Sequence, residues 1–175
     1  VPPLYGEGFD TMNNLVQGNT NAVLGNNIFN MDLDNMWVVI ILLAGLVAFK
    51  VVASAFTFGA GGVGGIFAPT LFMGSLMGNC VAKFINHLGI FKNMVSESNF
   101  TLVGMTGLMA GVLDAPLTAI FLIAEVTGGY ELFIPLMVTA AISYALARYV
   151  HPHSVYAMEL ARKGELITHN KDHAV

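Results

Sequence analysis

The residues with the clearest potential for chemistry form a glycine-rich loop, with five glycines among residues 59–65, followed by Ile66, Phe67 and Ala68. Glycine lets a chain turn sharply and lets backbone N–H groups come close to a ligand. Where a loop opens a helix, the first N–H groups lack partners within the helix, and the helix dipole adds about half a positive charge. The pattern therefore favours binding of an anion, either the pyrophosphate of a dinucleotide or a bare ion.

The context of the loop argues against a dinucleotide. Residues 59–64 fit the pattern G-x-G-x-x-G, but the apolar segment before them covers residues 36–57, far longer than a typical strand of about 3–10 residues. The acidic residue expected about 20 residues later is absent from residues 80–87. Two interpretations remain, an anion-binding helix N-terminus with Pro69 in its first turn and a flexible hinge, and the spacing alone does not choose between them.

The composition predicts a protein that lies in a membrane. Of the 175 residues, 55% are hydrophobic and 10% are charged, whereas an ordinary soluble domain carries about 25% charged residues. A net charge of −4 provides no basic surface for nucleic acid. Basic residues gather after residue 147, so the positive-inside rule predicts a cytoplasmic C-terminus. We expect the membrane to be the cell's inner membrane.

The sequence offers little for metal or redox chemistry. The single cysteine, Cys80, cannot form an internal disulfide, and we interpret it as a small packing residue. His151 and His153 flank a proline, but two histidines alone do not make a metal site. We expect no metal and no cofactor.

Five apolar segments predict helices, at residues 36–57, 66–87, 101–113, 117–126 and 131–150. Two of them are shorter than the roughly 20 residues that cross a bilayer, which is typical of broken or re-entrant helices. The fold class predicted is therefore an all-α membrane protein with broken and tilted transmembrane helices. Asp114 is predicted to be the N-cap of the helix that begins at residue 115 or 116.

Pairs of glycines at helical spacing predict close packing between helices. Gly74 and Gly78 form one G-x-x-x-G pair, and Gly107 and Gly111 form another. Such pairs let two helix backbones approach closely in lipid. We expect both pairs to pack within the chain rather than to form a dimer face.

Three stretches of the sequence, in order, resemble one known family. Residues 65–69, Gly-Ile-Phe-Ala-Pro, resemble the G-x-F-x-P signature of the CLC chloride channels and transporters. Residues 110–137 resemble the family's late membrane helices, including an Ala-Pro-Leu-Thr turn. Residues 6–19 resemble the segment that precedes the half of the family's membrane domain that carries the G-x-F-x-P signature. The resemblance covers residues 2 to about 162.

The resemblance implies the domain organisation. Residues 1–164 would be the C-terminal portion of a CLC transmembrane domain, the second half of an inverted repeat. Residues 165–175 would be a cytoplasmic linker toward a regulatory domain of the CBS type, which is absent from the chain. Since the chain begins at Val1 without an initiator methionine, we expect it to be part of a longer protein.

The resemblance also implies an anion site. The backbone N–H groups of Ile66, Phe67 and Ala68, after Gly65, would face chloride, and the hydroxyl of Tyr156 would donate a further hydrogen bond. The family's serine ligand and its gating and proton-transfer glutamates have no match here, because the resemblance places them before Val1. We interpret Glu125 and Glu131 as structural or interfacial residues and do not expect them to replace the gating or proton-transfer glutamates.

The implied function is chloride transport without enzyme activity, more in the manner of an H⁺/Cl⁻ antiporter than of a passive chloride channel. Chloride and protons would be the transported species, the lipid bilayer the surroundings, and the protein a homodimer in contact through the helices at residues 117–126 and 131–150. A rival hypothesis of another class is a membrane interaction module, in which the glycine loop is only a hinge.

Overall fold

The computed structural model describes residues 6, 8–24, 35–62, 65–89, 91, 93–128 and 130–151. Tyr156, the proposed linker and the C-terminal segment lie outside the described residues. The described residues form only helices: α1 (Phe9–Val16), α2 (Thr20–Leu24), α3 (Met36–Gly59), α4 (Phe67–Leu88), α5 (Glu97–Leu113), α6 (Pro116–Thr127) and α7 (Phe133–Val150). The all-α class is confirmed.

Each of the five predicted apolar helices is present, with shifts at the ends. Helix α5 begins at Glu97, four residues before the apolar segment, because the Ser96 hydroxyl caps it by accepting a hydrogen bond from the Asn99 amide at 3.3 Å. Helix α3 begins after Asn35, whose side chain accepts from the Trp37 amide. The start of α3 agrees with the hydrophobic pattern, whereas the polar first turn of α5 lies outside it, so hydrophobicity alone underestimates the length of α5.

Helices α4 and α5 run antiparallel in very close contact, and glycines make the contact possible. A Cβ built on Gly74 would lie 2.7 Å from the Cα of Met105, and one on Gly104 would lie 2.7 Å from the Cα of Gly78. No side chain fits at these distances, so the two backbones touch directly. The first glycine pair thus packs within the chain, as the sequence predicts.

Helix α7 packs parallel to α5 on its other side. The Ser143 hydroxyl donates a 2.6 Å hydrogen bond to the carbonyl oxygen of Gly107. A Cβ on Gly111 would lie 2.8 Å from Ser143 Oγ. The second glycine pair therefore also serves packing within the chain.

The buried core lies along α4 and α5, with α1, α3, α6 and α7 around them. Helix α3 runs antiparallel to α4, because the Trp37 ring at its start meets the rings of Phe84 and His87 near the end of α4. The largest fully buried apolar side chains are Phe72, Leu15, Leu43, Leu76, Met109, Ile123 and Leu136.

Helices α3 and α7 are long and apolar enough to cross a membrane, and only a small part of each is buried inside the protein. Their exposed side chains include Phe49, Phe56, Ile134 and Ile142. An outward apolar face of this extent is suited to lipid or to another apolar protein surface. Helix α6 has 12 residues and is too short to span, in agreement with the prediction of broken helices.

The prediction that Asp114 caps α6 is wrong. Asp114 ends α5 in the left-handed conformation, with φ of 60°, and Ala115 precedes α6 without a side-chain cap. The carboxylate of Asp114 instead pairs with the guanidinium of Arg148, at 3.1 Å, which lies at the end of α7. Aspartate tolerates the left-handed region better than most residues, and a partner 34 positions away cannot be read from local capping preferences.

Candidate functional site

The candidate site begins where α3 ends. The Gly62 amide donates back to the carbonyl oxygen of Thr57 at 2.9 Å, and Gly61 has a φ of 79°. A Cβ on Gly62 would lie 2.7 Å from that carbonyl oxygen. These two glycines therefore allow the sharp end of α3, and the chain can then turn toward the start of α4.

Helix α4 begins with backbone amides that have no acceptor among the residues that the structure describes. The carbonyl oxygen of Ile66 is occupied, because it accepts from both the amide and the hydroxyl of Thr70, at 3.1 and 2.6 Å. None of the described residues accepts a hydrogen bond from the amides of Ile66, Phe67 or Ala68. The first turn carries no acidic side chain. The end of the helix therefore combines donors and a positive dipole, with nothing in the turn to repel an anion.

The start of α7 repeats the same local sequence with a different outcome. Both helices begin with Phe-X-Pro, at Phe67-Ala68-Pro69 and at Phe133-Ile134-Pro135. In α7, however, the first amide donates to the carbonyl oxygen of Tyr130 at 3.0 Å. Of the two, only the α4 start has its first amide without an acceptor among the described residues. The second Phe-X-Pro motif was not among the features predicted from the sequence.

The predicted site residues that the structure describes are contiguous at one helix end. Gly65 is exposed, Ile66 and Ala68 are half-buried, and the Phe67 side chain is 37% exposed. A small anion can therefore approach the amides without displacing a buried side chain. Tyr156, the other predicted site residue, lies outside the described residues.

Lys50 is a residue whose partners the sequence reasoning missed. It is the only charged residue of α3, yet it is just 5% exposed. Its Nζ donates to the carbonyl oxygen of Gly6 at 2.8 Å and lies 4.9 Å from the centre of the Phe72 ring. The signal available in the sequence was the isolated charge in an apolar segment, because a charge at that depth needs a specific partner.

A second polar cluster lies at the opposite end of α4. The hydroxyl of Thr20 lies 3.2 Å from Glu97 Oε2 and 3.4 Å from Asn79 Oδ1. Glu97 also pairs with Lys83 at 2.8 Å. The Asn79 side chain is fully buried, and its Nδ2 has no partner among the described residues. The cluster joins α2, α4 and α5, and no periodic pattern in the sequence indicates it.

The remaining polar candidates do not assemble into a further site. Glu125 and Glu131 are exposed at helix ends. Within the described part of the chain, no group of three or more His, Cys, Asp or Glu side chains is placed to hold a metal ion. His153 lies outside the described residues, whereas His151 is exposed.

The geometry thus defines a class: an integral membrane protein of packed helices, with a helix N-terminus suited to an anion beside a glycine-rich turn. The sequence profile of the voltage gated chloride channel family matches residues 1–148. The chain belongs to this family, and the resemblance inferred from the G-x-F-x-P motif is confirmed.

Individual relatives agree with this assignment. The chain is similar to a ClcB-like protein of Ralstonia nicotianae, provisionally named a chloride channel protein, with 32% identity over 93% of this chain and 33% of the relative. It is also similar to proteins named H⁺/Cl⁻ exchange transporter ClcA. In Cronobacter sakazakii the identity is 35% over 65% of this chain and 24% of the relative. In Yersinia pestis it is 34% over 65% of this chain and 23% of the relative. The chain spans about a third of the length of the first relative and about a quarter of the others.

Proposed function

We propose that this chain forms part of the anion pathway of a chloride transporter, with chloride bound by the amides of Ile66, Phe67 and Ala68 after Gly65. The observation that carries the proposal is the N-terminus of α4, whose first amides find no acceptor among the described residues. Partial charges suit a transport site, because a fully charged side chain would hold chloride too tightly to release it. Tyr156 is proposed as a second donor to the same ion.

The transport mode we propose is H⁺/Cl⁻ exchange. Several relatives are named as exchangers, while the relative matched over most of the chain is named for a channel. A passive chloride channel is therefore the second candidate. In liposomes loaded with chloride, an exchanger moves protons against their gradient when chloride flows, whereas a channel leaves the internal pH unchanged.

The assembly proposed is a homodimer of the complete polypeptide in which α6 and α7 face the twofold axis. Both helices carry exposed apolar side chains, among them Leu117, Phe121, Ile142 and Leu146. We further propose that residues 1–164 belong to the membrane domain, that residues 165–175 lead toward a cytoplasmic domain, and that the protein lies in the inner membrane. Transport moves chloride across the membrane without changing it chemically, so we propose no enzyme activity and no cofactor.

The decisive experiment is to remove one amide donor from the proposed site. In Ala68→Pro the donor is lost at the second helical position, where proline is compatible with helix geometry. We expect chloride efflux from liposomes that contain the complete polypeptide to fall at least tenfold, about 1.4 kcal/mol or more. The matched control is Ile134→Pro, at the same position of the second Phe-X-Pro helix, and it should retain most of the flux.

A further variant tests the tyrosine. Tyr156→Phe removes only a hydroxyl, and Tyr149→Phe is its control because Tyr149 is 90% exposed on α7. Chloride flux that is unchanged in both Ala68→Pro and Tyr156→Phe would contradict the proposed pathway. Such a result would favour the membrane interaction module, in which the glycine loop serves only as a hinge.

A further inference from the structure

Lys50 is unusual because it is a buried charge among apolar helices, and no carboxylate of the described residues forms an ion pair with it. Helix α3 contains 24 residues, and Lys50 is the only charged one. The ion pairs among the described residues join Lys83 to Glu97 and Arg148 to Asp114, and neither includes Lys50. An ammonium at this depth is costly unless it has specific partners. The groups that contact the Lys50 ammonium should therefore indicate the role of this residue.

Among the described residues the ammonium contacts two groups, and they lie on different segments. Its hydrogen bond to the Gly6 carbonyl oxygen reaches the segment before α1, and its contact with the face of the Phe72 ring reaches α4. A cation over an aromatic face is stabilised by the ring's quadrupole, more strongly where water is excluded. Phe72 is fully buried, so this contact is shielded from solvent.

The segment before α1 holds the same ring. Gly8 has a φ of 83°, and a Cβ built there would lie 2.7 Å from Cε2 of Phe72. The segment at residues 6–8 thus meets both Lys50, through the Gly6 carbonyl, and the ring of Phe72, through Gly8. We call Lys50, Phe72 and these two glycines the Lys50–Phe72 clamp.

The clamp lies close to the proposed anion site. Phe72 follows Phe67 by five residues, which is about 7.5 Å along a helix axis at 1.5 Å per residue. Because α4 is a continuous helix from Phe67 onward, a displacement of its backbone at Phe72 would also displace the first turn. Binding sites of this kind lose affinity when their donors move by a fraction of an ångström.

We propose that Lys50 is a positioning residue for the anion site, and that the Lys50–Phe72 clamp fixes where the first turn of α4 points its amides. This inference rests on the proposed function. Lys50 itself does not need to touch the ion. Its role is to hold α4 against α3 and against the segment before α1 at the depth where the amides must face the anion.

The test compares chloride binding by calorimetry for variants of the complete polypeptide in detergent. Lys50→Met keeps the apolar stem and removes the ammonium, and we expect Kd to rise about tenfold, equivalent to about 1.4 kcal/mol. Lys50→Arg restores the charge, the donor and the stacking on the ring, and should bind within about threefold of the original protein. Lys83→Met, which removes the lysine that pairs with Glu97 at the opposite end of α4, is the control and should leave Kd within about twofold.

Phe72→Leu tests the clamp from its other side and provides a second route if Lys50→Met does not fold. We expect a rise in Kd of similar size. In the double variant the two losses should not add, because each single change already releases the clamp. Additive losses would overturn the proposal, since they would mean that the charge and the ring act separately.

Two other results would also overturn it. One is an unchanged Kd in Phe72→Leu or in Lys50→Met. The other is a lower Tm in these variants with chloride binding intact, which is what a purely structural lysine would give. Failure of the original protein to bind or transport chloride would instead contradict the proposed function, so the two failures can be told apart.

Discussion

At the scale of single residues, the absence of a side chain is as informative as its presence. Gly74, Gly78 and Gly104 lie where two helix backbones meet, and Gly45 lies on α3 with nothing within 4 Å of a built Cβ. All four are glycines inside helices, where glycine costs about 1 kcal/mol relative to alanine. Of these four, the three glycines at the α4–α5 contact are required by the close approach of the two backbones, whereas Gly45 has no neighbour that would exclude a side chain.

We therefore predict opposite effects for two alanine substitutions. Gly78→Ala places a Cβ 2.9 Å from the carbonyl carbon of Phe100, so the helices must separate, and the free energy of unfolding should fall by about 2 kcal/mol. Gly45→Ala meets no neighbour and should raise it by up to about 1 kcal/mol. Thermal unfolding in detergent measures both, and equal effects would contradict the close-contact explanation.

Asp114 supports a prediction about backbone conformation. Asp114→Ala loses the pair with Arg148 and places alanine in the left-handed region, where a non-glycine residue pays about 1–2 kcal/mol. Asp114→Gly loses the same pair but removes the strain. We expect the glycine variant to be more stable than the alanine variant by about 1 kcal/mol in the same unfolding measurement. A glycine variant as unstable as the alanine variant would show that the ion pair dominates.

At this scale the sequence predicted the start of α4 to within one residue, because glycines and a proline mark locally where a helix begins. The assignment of chloride to the amides of Ile66, Phe67 and Ala68 came from the family resemblance and stays a prediction. The partners of Asp114 and Lys50 could not be predicted, because Arg148 and Phe72 are 34 and 22 positions away in the sequence. Tertiary packing brings such residues together, and no periodicity records it.

At the scale of the elements, the apolar segments of the sequence identified every long helix among the described residues. The hydrogen bonds and ion pairs that join one helix to another were not predicted. Helix α2 has only five residues, and its Thr20 hydroxyl is the described side-chain link to α4 and α5. A helix this short has little stability of its own. Its position therefore depends on the cluster around Glu97.

Removing that hydroxyl should loosen α2 without unfolding the remaining helices. In Thr20→Val, the local stability of residues 20–24 should fall by about 1 kcal/mol, the typical contribution of one hydrogen bond. Amide hydrogen exchange, resolved by segment, measures it. Thr57→Val is the control, because the Thr57 hydroxyl bonds only to the carbonyl oxygen of Ala53 on an exposed face. Faster exchange across α4 and α5 would contradict a local role.

At the scale of the whole molecule, two of the faces that carry exposed apolar side chains matter for assembly. One is the outer side of α3, with Phe49 and Phe56, and the other is formed by α6 and α7, with Leu117 and Ile142. Lipid can cover either face. The proposed dimer uses the second face alone, so the two faces should behave differently in a membrane.

Cysteine cross-linking distinguishes the faces. In a Cys80→Ser background of the complete polypeptide, Ile142→Cys should give a covalent dimer on mild oxidation in membranes, because a twofold axis brings equivalent positions together. Phe49 is likewise exposed and apolar, and Phe49→Cys should give no covalent dimer. Cross-linking of Phe49→Cys alone would place the dimer contact on α3 and contradict the arrangement proposed here.

The backbone contact between α4 and α5 has a consequence for motion. Neither helix can slide along the other or rotate against it without forcing Cα atoms into carbonyl groups, so the two must travel as one rigid body. Any rearrangement that opens or closes a route to the first turn of α4 must therefore leave the α4–α5 contact intact and take place in the parts of the protein around this pair.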